Sequence, residues 1–215
     1  MPALKGILWD NDGVLVDTEP LYFRANQATL REVGFELTLE DFVQISLVEG
    51  RSTHALLAEQ GLSPEQSQAL YEKRNHVYME LLKTEARLME GIGDVVAWCA
   101  ERYRMGIVTS SRMDHFQMIH SESNLLEHFD FILTGEDYTR FKPDPQPYQM
   151  GLERLGLPAD ECIVIEDTER GLESARAAGL RCLLLPSPMA GKRDYPRAHH
   201  VLGDVREIPD VLAKL

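Results

Sequence analysis

The chain has 215 residues, 44% of them apolar, enough for one domain with a substantial core or for a main domain carrying a small insertion. Acidic residues outnumber basic ones 35 to 22, and the resulting net charge of −13 repels nucleic acid and anionic membranes. No uninterrupted apolar run approaches the roughly 18 residues that span a bilayer, and no charged-then-apolar leader precedes Asp10.

The three cysteines, Cys99, Cys162 and Cys182, form no CxxC pair and lie inside apolar runs, where free thiols pack as small hydrophobes. A reduced, cytoplasmic setting is expected.

The first β-type run covers residues 4–9 and ends in Asp10-Asn11-Asp12-Gly13. Charge is costly next to such an apolar run. In an extended chain Asp10 and Asp12 share a face, roughly 6–7 Å apart, and two like charges so placed ask for a cation. A solvated acidic turn is the plain alternative, so distant segments must decide.

Residues 18–87 contain no β-run. Ser63-Pro64-Glu65-Gln66 has the form of a capping box, and Leu70, Tyr71, Val77, Tyr78, Leu81 and Leu82 make a broad apolar stripe behind it. An all-helical insertion is expected, entering directly after the acidic turn and lying over it as a lid. The expected domains are therefore a core of residues 1–17 and 88–215 and a cap of residues 18–87.

Further β-type runs follow at residues 105–109, 129–133, 162–165 and 180–185, with helical patterns between the later ones. Asp144-Pro145 opens a helix that closes near Gly156, and Thr168 opens another that closes near Gly179. Strands apolar on both faces, alternating with helices, predict an α/β fold with a doubly wound, Rossmann-like parallel sheet.

Ligands of such sheets bind beyond the carboxyl ends of the strands. The first run ends in Asp10 and Asp12, the second in Thr109-Ser110-Ser111, and the fourth in Glu166-Asp167; beyond the third lies Lys142. Taken singly, Thr109 reads as a strand-end residue, Lys142 as a solvated lysine and Glu166-Asp167 as first-turn acids favoured by a helix dipole. Their ordered recurrence carries the reading. Carboxylates from two strands suit Mg²⁺, which binds beside substrate phosphates. Thr109 can bond a phosphate oxygen, the amides of Ser110 and Ser111 would open the next helix, and Lys142 supplies positive charge. Gly13 suits a turn whose amides approach an anion closely.

These segments, "DNDGVLVDTEP", "VTSS", "FKPDP" and "IEDTERGLESARAAG", resemble the four signature motifs of the haloacid dehalogenase superfamily. The likeness is to its branch with a helical cap after the first motif, which holds β-phosphoglucomutase, phosphoglycolate phosphatase and sugar-phosphate phosphatases. It covers nearly the whole chain. The resemblance implies that Asp10 attacks the phosphorus of a phosphomonoester to form an aspartyl-phosphate and that Asp12 is general acid and then general base. It implies that Asp10, the backbone carbonyl of Asp12 and Asp167 hold the metal, with Glu166 in support. It puts Arg51 where sugar-phosphate members have a phosphate-contacting arginine, and Arg74 near another cap position that reaches the site.

Two residues depart from the family pattern. Trp9 stands where phenylalanine is usual, which is expected to be a packing variation. Tyr22 stands where β-phosphoglucomutase has a histidine that assists phosphoryl return to sugar, which favours hydrolysis. The expected partner is a small phosphorylated metabolite, with no nucleic acid or membrane, acting on a monomer or weak homo-oligomer. A phosphosugar mutase is one alternative. A phosphorylatable receiver module is another, although it spans about half this length and lacks an inserted helical lid. His199 and His200 have no acids at ligand spacing and are expected at the surface. Gly191-Lys192 is followed by Arg193 and lacks the glycine of a P-loop at Pro186.

Overall fold

The computed structural model describes residues 3–53, 57 and 61–215. Residues 54–56 and 58–60 of the expected cap, and residues 1 and 2 of the expected core, lie outside them.

Six strands, β1 (Gly6–Trp9), β2 (Arg104–Val108), β3 (Phe131–Leu133), β4 (Cys162–Glu166), β5 (Arg181–Leu184) and β6 (His200–Val201), form one sheet in the order β3-β2-β1-β4-β5-β6. Every pairing is parallel. Side chains of β1 alternate between two cores: Ile7 and Trp9 join Ile107, Ile163 and Ile165 on one face, while Leu8 joins Val108, Val164 and Leu184 on the other. This is why the strands read as unbroken apolar runs. Trp9 is fully buried and meets Phe129 edge to face at 6.3 Å, the packing part expected of it. All three cysteines are buried and free. The edge strand β6, two exposed residues long, is too short to leave a sequence signal.

The chain winds outward from β1 to β3 on one side and from β4 to β6 on the other, so the loops after β1 and β4 diverge and open a crevice. Four helices cover the sheet faces beside it. Helix α4 (Ile92–Ala100) buries Ile92, Val95, Val96 and Cys99 on the face of Trp9. Helix α5 (Met113–Ile119) follows β2. Helix α6 (Gln146–Leu155) ends at Gly156, whose φ of 65° favours glycine, and packs Tyr148 and Leu155 on the face of Leu8. Helix α7 (Glu169–Ala177) starts at Thr168, whose hydroxyl accepts from the Gly171 amide at 3.2 Å.

Between β1 and α4 the described residues form no strand, only the isolated bridges Asp12–Val16 and Val16–Leu88. Helix α1 (Glu19–Arg31) is followed by the short α2 (Leu39–Phe42), which continues as a π-helical turn (Val43–Val48), and by α3 (Pro64–Glu85). The capping box of α3 forms as expected, the Ser63 amide donating to Gln66 Oε1 at 2.9 Å and the Gln66 amide to Ser63 Oγ at 3.3 Å. The apolar stripe packs Tyr78 and Leu82 against Leu21 and Ala25 of α1. The segment enters and leaves side by side: Asp17 N donates to Arg87 O at 3.0 Å, and Met89 N to Leu15 O at 2.9 Å. The last helix, α8 (Ile208–Leu212), packs against α4.

A methyl group on Gly106 of β2 would meet the Phe131 ring at 2.2 Å. Gly106→Ala should overpack the β2–β3 contact and destabilise the fold by roughly 1–3 kcal/mol. Urea unfolding measures this, and an unchanged midpoint would mean that Phe131 swings aside freely.

Candidate active site

The predicted strand-end residues meet in the crevice. Asp10 and Asp12 both lie past β1, in a turn where the Asn11 carbonyl accepts from the amides of Val14, Leu15 and Val16. The alternation of an extended strand therefore does not orient them, and the turn does. Asp10 is 8% exposed, and its Oδ1 accepts from Lys142 Nζ at 3.0 Å. The same ammonium donates to the Val108 carbonyl at 2.9 Å and to Glu166 Oε1 at 2.6 Å, and sits 4.8 Å from the Tyr148 ring centre. Lys142 thus spans the ends of β1, β2 and β4.

Burial opposes the charge of Lys142, but Asp10 and Glu166 outweigh it and push its pKa up. Burial likewise works against the Glu166 carboxylate, yet Lys142 and the Tyr148 hydroxyl hold its pKa below the ordinary value. For Asp10 burial dominates, Glu166 adds to it, and the pKa rises to about 7 despite Lys142. A bound cation would draw it back down.

Asp12 Oδ2 accepts from Ser111 Oγ at 2.5 Å and Thr109 Oγ1 at 3.3 Å, and Oδ1 accepts from Thr18 Oγ1 at 2.6 Å. Hydroxyls, rather than cations, hold this carboxylate. Its neighbour Asn11 is fully buried and accepts at Oδ1 from His120 Nε2 at 2.7 Å, while its amide donates to Asp12 Oδ2 at 3.3 Å. Burial lowers the His120 pKa to about 4, so the ring is neutral.

Asp10, Glu166 and Asp167 can each place a carboxylate oxygen within 4.8 Å of the other two. Asp167 is 5% exposed, and its Oδ1 has no partner among the described residues. Burial and then Glu19 push the Asp167 pKa well up, as expected of crowded acids without a cation. Hard oxygen donors, one of them orphaned and buried, fit Mg²⁺. Glu166 belongs to the cluster, but its oxygens are already used: Oε1 accepts from Lys142 and Tyr148, and Oε2 from the Asp167 and Thr168 amides and the Thr168 hydroxyl. It orients Lys142 and leaves the free lone pairs to Asp10 and Asp167.

Three sequence expectations change here. Gly13 has φ 76°, and a Cβ on it would lie 2.2 Å from Asp167 Oδ2, so the glycine admits Asp167. Its amide donates to the Val16 carbonyl at 2.8 Å and is not offered to a substrate anion. Helix α5 begins at Met113, and the Ser111 amide donates to Thr109 Oγ1 at 3.0 Å, so those two amides do not open the helix. The Ser110 side chain and the Ser111 side chain do line the cavity. Arg51 is exposed, pairs with Glu49 at 3.3 Å and is not among the cavity-lining residues. The chain turns at Gly50, φ 65°, against the Arg170 side chain, and Arg51 emerges beyond that turn.

The cavity over the strand ends has a volume of about 240 Å³. Its far wall comes from the inserted helices, with Tyr22, Tyr71, Arg74 and Tyr78. Glu19, absent from the sequence reading, hydrogen-bonds Ser187 and Asp167, and burial raises its pKa. A glutamate beside a proline at a helix start reads as an ordinary first-turn acid, which hid it. Asn11 and His120 left no signal, because their contact spans 109 positions.

Fold and site together define an α/β protein whose strand ends open into a pocket lined by carboxylates. The model of the haloacid dehalogenase-like hydrolases matches residues 7–185, and the chain belongs to that family. It is 31% identical over 182 residues to the phosphorylated carbohydrates phosphatase of Thermotoga maritima, covering 82% of each chain. It is 26% identical to hexitol phosphatase B of Escherichia coli K12, covering 93% of this chain and 89% of that one. The crystal structure of CbbY from Rhodobacter sphaeroides in complex with phosphate superposes with a TM-score of 0.79 at 23% identity, over 95% of this chain and 96% of that one. That likeness speaks to the fold alone. Family membership sets the receiver module aside.

Replacing Lys142 by Met would leave Asp10 and Glu166 buried without compensation. Breaking such a pair costs roughly 3–5 kcal/mol, so Lys142→Met should unfold at markedly lower denaturant. An unchanged midpoint would mean that the two acids simply take up protons at little cost.

Proposed function

We propose that the chain is a Mg²⁺-dependent phosphoric monoester hydrolase that acts on a small phosphorylated metabolite, a sugar phosphate or phosphoglycolate-like ester, through an aspartyl-phosphate on Asp10. One observation carries the reading: a buried carboxylate held on one oxygen by Lys142 shares a cavity with a second carboxylate held by hydroxyls and an amide and by no cation.

Oδ1 of Asp10 is engaged by Lys142, so Oδ2 attacks phosphorus as the ester P–O bond breaks. Asp12, protonated, gives its proton to the departing oxygen. Water then attacks the acyl phosphate, Asp12 takes its proton, and the P–O bond to Asp10 breaks to release inorganic phosphate. Lys142 offsets the charge of the anionic pair, and Thr109, Ser110 and Ser111 surround the phosphoryl oxygens. Asp10, Asp167 and the Asp12 carbonyl would hold Mg²⁺, which when bound neutralises phosphoryl charge.

Residues 18–87 act as a cap on a core of residues 1–17 and 88–215; the adjoining entry and exit chains at 15–17 and 87–89 support one common hinge. Tyr22, standing where β-phosphoglucomutase has a histidine, supports hydrolysis over mutase action, and its hydroxyl is engaged as acceptor from Arg74. Three buried free thiols suit the cytoplasm, and no described helix is long and apolar enough to cross a membrane.

Purified protein should release phosphate from small phosphomonoesters only with Mg²⁺; equal turnover after exhaustive chelation would overturn the metal assignment. Asp10→Asn should form no phosphoenzyme, and an acyl phosphate trapped on that variant would move the nucleophile elsewhere. A hexose phosphorylated on its anomeric carbon should yield free sugar. Migration of the phosphate to another hydroxyl as the main outcome would identify a mutase.

A further inference from the structure

Four side chains among the described residues donate to the Asp12 carboxylate, and a bound substrate would not leave them equal. Ser111 and Thr109 line the cavity, and in the reaction proposed above they surround the phosphoryl oxygens. A phosphoryl group therefore competes with Asp12 for both hydroxyls. Thr18, the third donor, also lines the cavity. The fourth is the side-chain amide of Asn11, 3.3 Å from Asp12 Oδ2. Asn11 is fully buried and is not among the cavity-lining residues, so it meets the carboxylate from the protein side, where no ligand competes for it.

A side-chain amide carries a donor and an acceptor on one planar group, and its neighbours decide which way it points. Oδ1 of Asn11 lies 2.7 Å from Nε2 of His120, the residue that ends α5. An ionised Asp12 can only accept, so Asn11 must turn Nδ2 toward it and Oδ1 toward the ring, and Nε2 must then carry the imidazole proton. The surroundings of the ring agree with that tautomer. Nδ1 is buried and has no partner among the described residues, which a bare lone pair tolerates better than an N–H would. Burial keeps the imidazole neutral, and the Phe116 ring, 4.6 Å away between centres, fixes its plane.

We propose that His120 and Asn11 are positioning residues for the general acid: His120 Nε2–H sets the Asn11 amide, and that amide holds Asp12 in place while the hydroxyls turn to the phosphoryl group. The inference rests on the phosphatase reading above and assigns the buried side of the site a part in proton transfer. The pair moves no proton itself. A carboxylic acid must lie within hydrogen-bond reach of the oxygen it protonates, so an Asp12 free to swing loses rate where the departing oxygen needs a proton and keeps it where that oxygen does not.

Phenyl phosphate and para-nitrophenyl phosphate, two esters of nearly one shape, test it. Phenoxide has a conjugate pKa of about 10, like the tyrosine side chain, and gains from a proton as it leaves, whereas nitrophenoxide departs without one. His120→Phe keeps a ring beside Phe116 and removes the donor. Its kcat/KM should fall roughly tenfold further for phenyl phosphate than for the nitrophenyl ester, part of the roughly 10²–10⁴ that a placed acid contributes. Asn11→Leu should show the same split, and the double variant no larger one. His120→Gln, whose amide donates from the place of Nε2, should return the ratio of the two esters to within about threefold of wild type. A ratio unchanged in His120→Phe, or as altered in His120→Gln as in His120→Phe, would overturn the proposal. Nitrogen NMR of wild type reads the pair without any substitution: His120 should be neutral with its proton on Nε2, and a proton on Nδ1 refutes the arrangement. If wild type hydrolyses neither ester, the reaction assigned above is what fails, and the tautomer still decides on the pair.

Discussion

The ammonium of Lys142 is the interaction on which the rest of the site depends. Three strand ends carry groups that exclude one another: two buried carboxylates from β1 and β4 and a backbone carbonyl from β2. Without a cation the carboxylates would take up protons or move apart. With Lys142 between them and both acids ionised, the set carries one net negative charge, a poise suited to a divalent ion or to an attacking carboxylate. Such a buried group adds little to net stability, since desolvation offsets most of the Coulomb attraction, and its value lies in position. Lys142 occupies one oxygen of Asp10 and thereby decides which oxygen is free.

Glu166 secures that position in turn. Its five donors fix the carboxylate against the start of α7, where a Cβ on Gly171 would lie 1.9 Å from Glu166 Cδ. Gly13 plays the same part for Asp167. Both glycines therefore stand where a carboxylate packs onto backbone, and the spacing from Glu166 to Gly171 is a packing requirement before it is a chemical one. The two acids of the fourth motif divide their work: Glu166 orients Lys142, and Asp167 keeps its Oδ1 unpartnered among the described residues.

The elements that could be read in the sequence are those with a local cause. Strand apolarity follows from burial on both faces, the caps at Ser63 and Thr168 follow from side-chain oxygens next to bare amides, and the helix end at Gly156 follows from its positive φ. Asp10, Asp12, Thr109, Lys142 and Asp167 were legible because a parallel sheet forces strand ends to one edge. What stayed hidden depends on turns and distant contacts. The turn after Trp9 re-aims Asp12 and uses the Gly13 amide; the turn at Gly50 precedes an Arg51 that emerges on the surface; Glu19 meets Asp167 only once α1 is folded back. Arg74 looked like part of a charged helix face, and its burial arises from Tyr22 on another helix.

For a chain of charge −13 the phosphomonoester proposed as its substrate poses an electrostatic problem, and burial resolves it. Surface carboxylates are screened over about 8 Å at physiological salt, whereas charges buried in the cavity wall act at a lower effective dielectric and carry several times the weight. Lys142 and Arg74, 5% and 3% exposed, therefore govern the potential that a bound ester feels, although the surface as a whole is acidic. The arrangement also separates two tasks. The strand ends hold groups that any phosphomonoester needs, fixed by a rigid sheet. The inserted helices hold the rings of Tyr22, Tyr71 and Tyr78 and the Arg74 guanidinium, which form the far wall of the cavity.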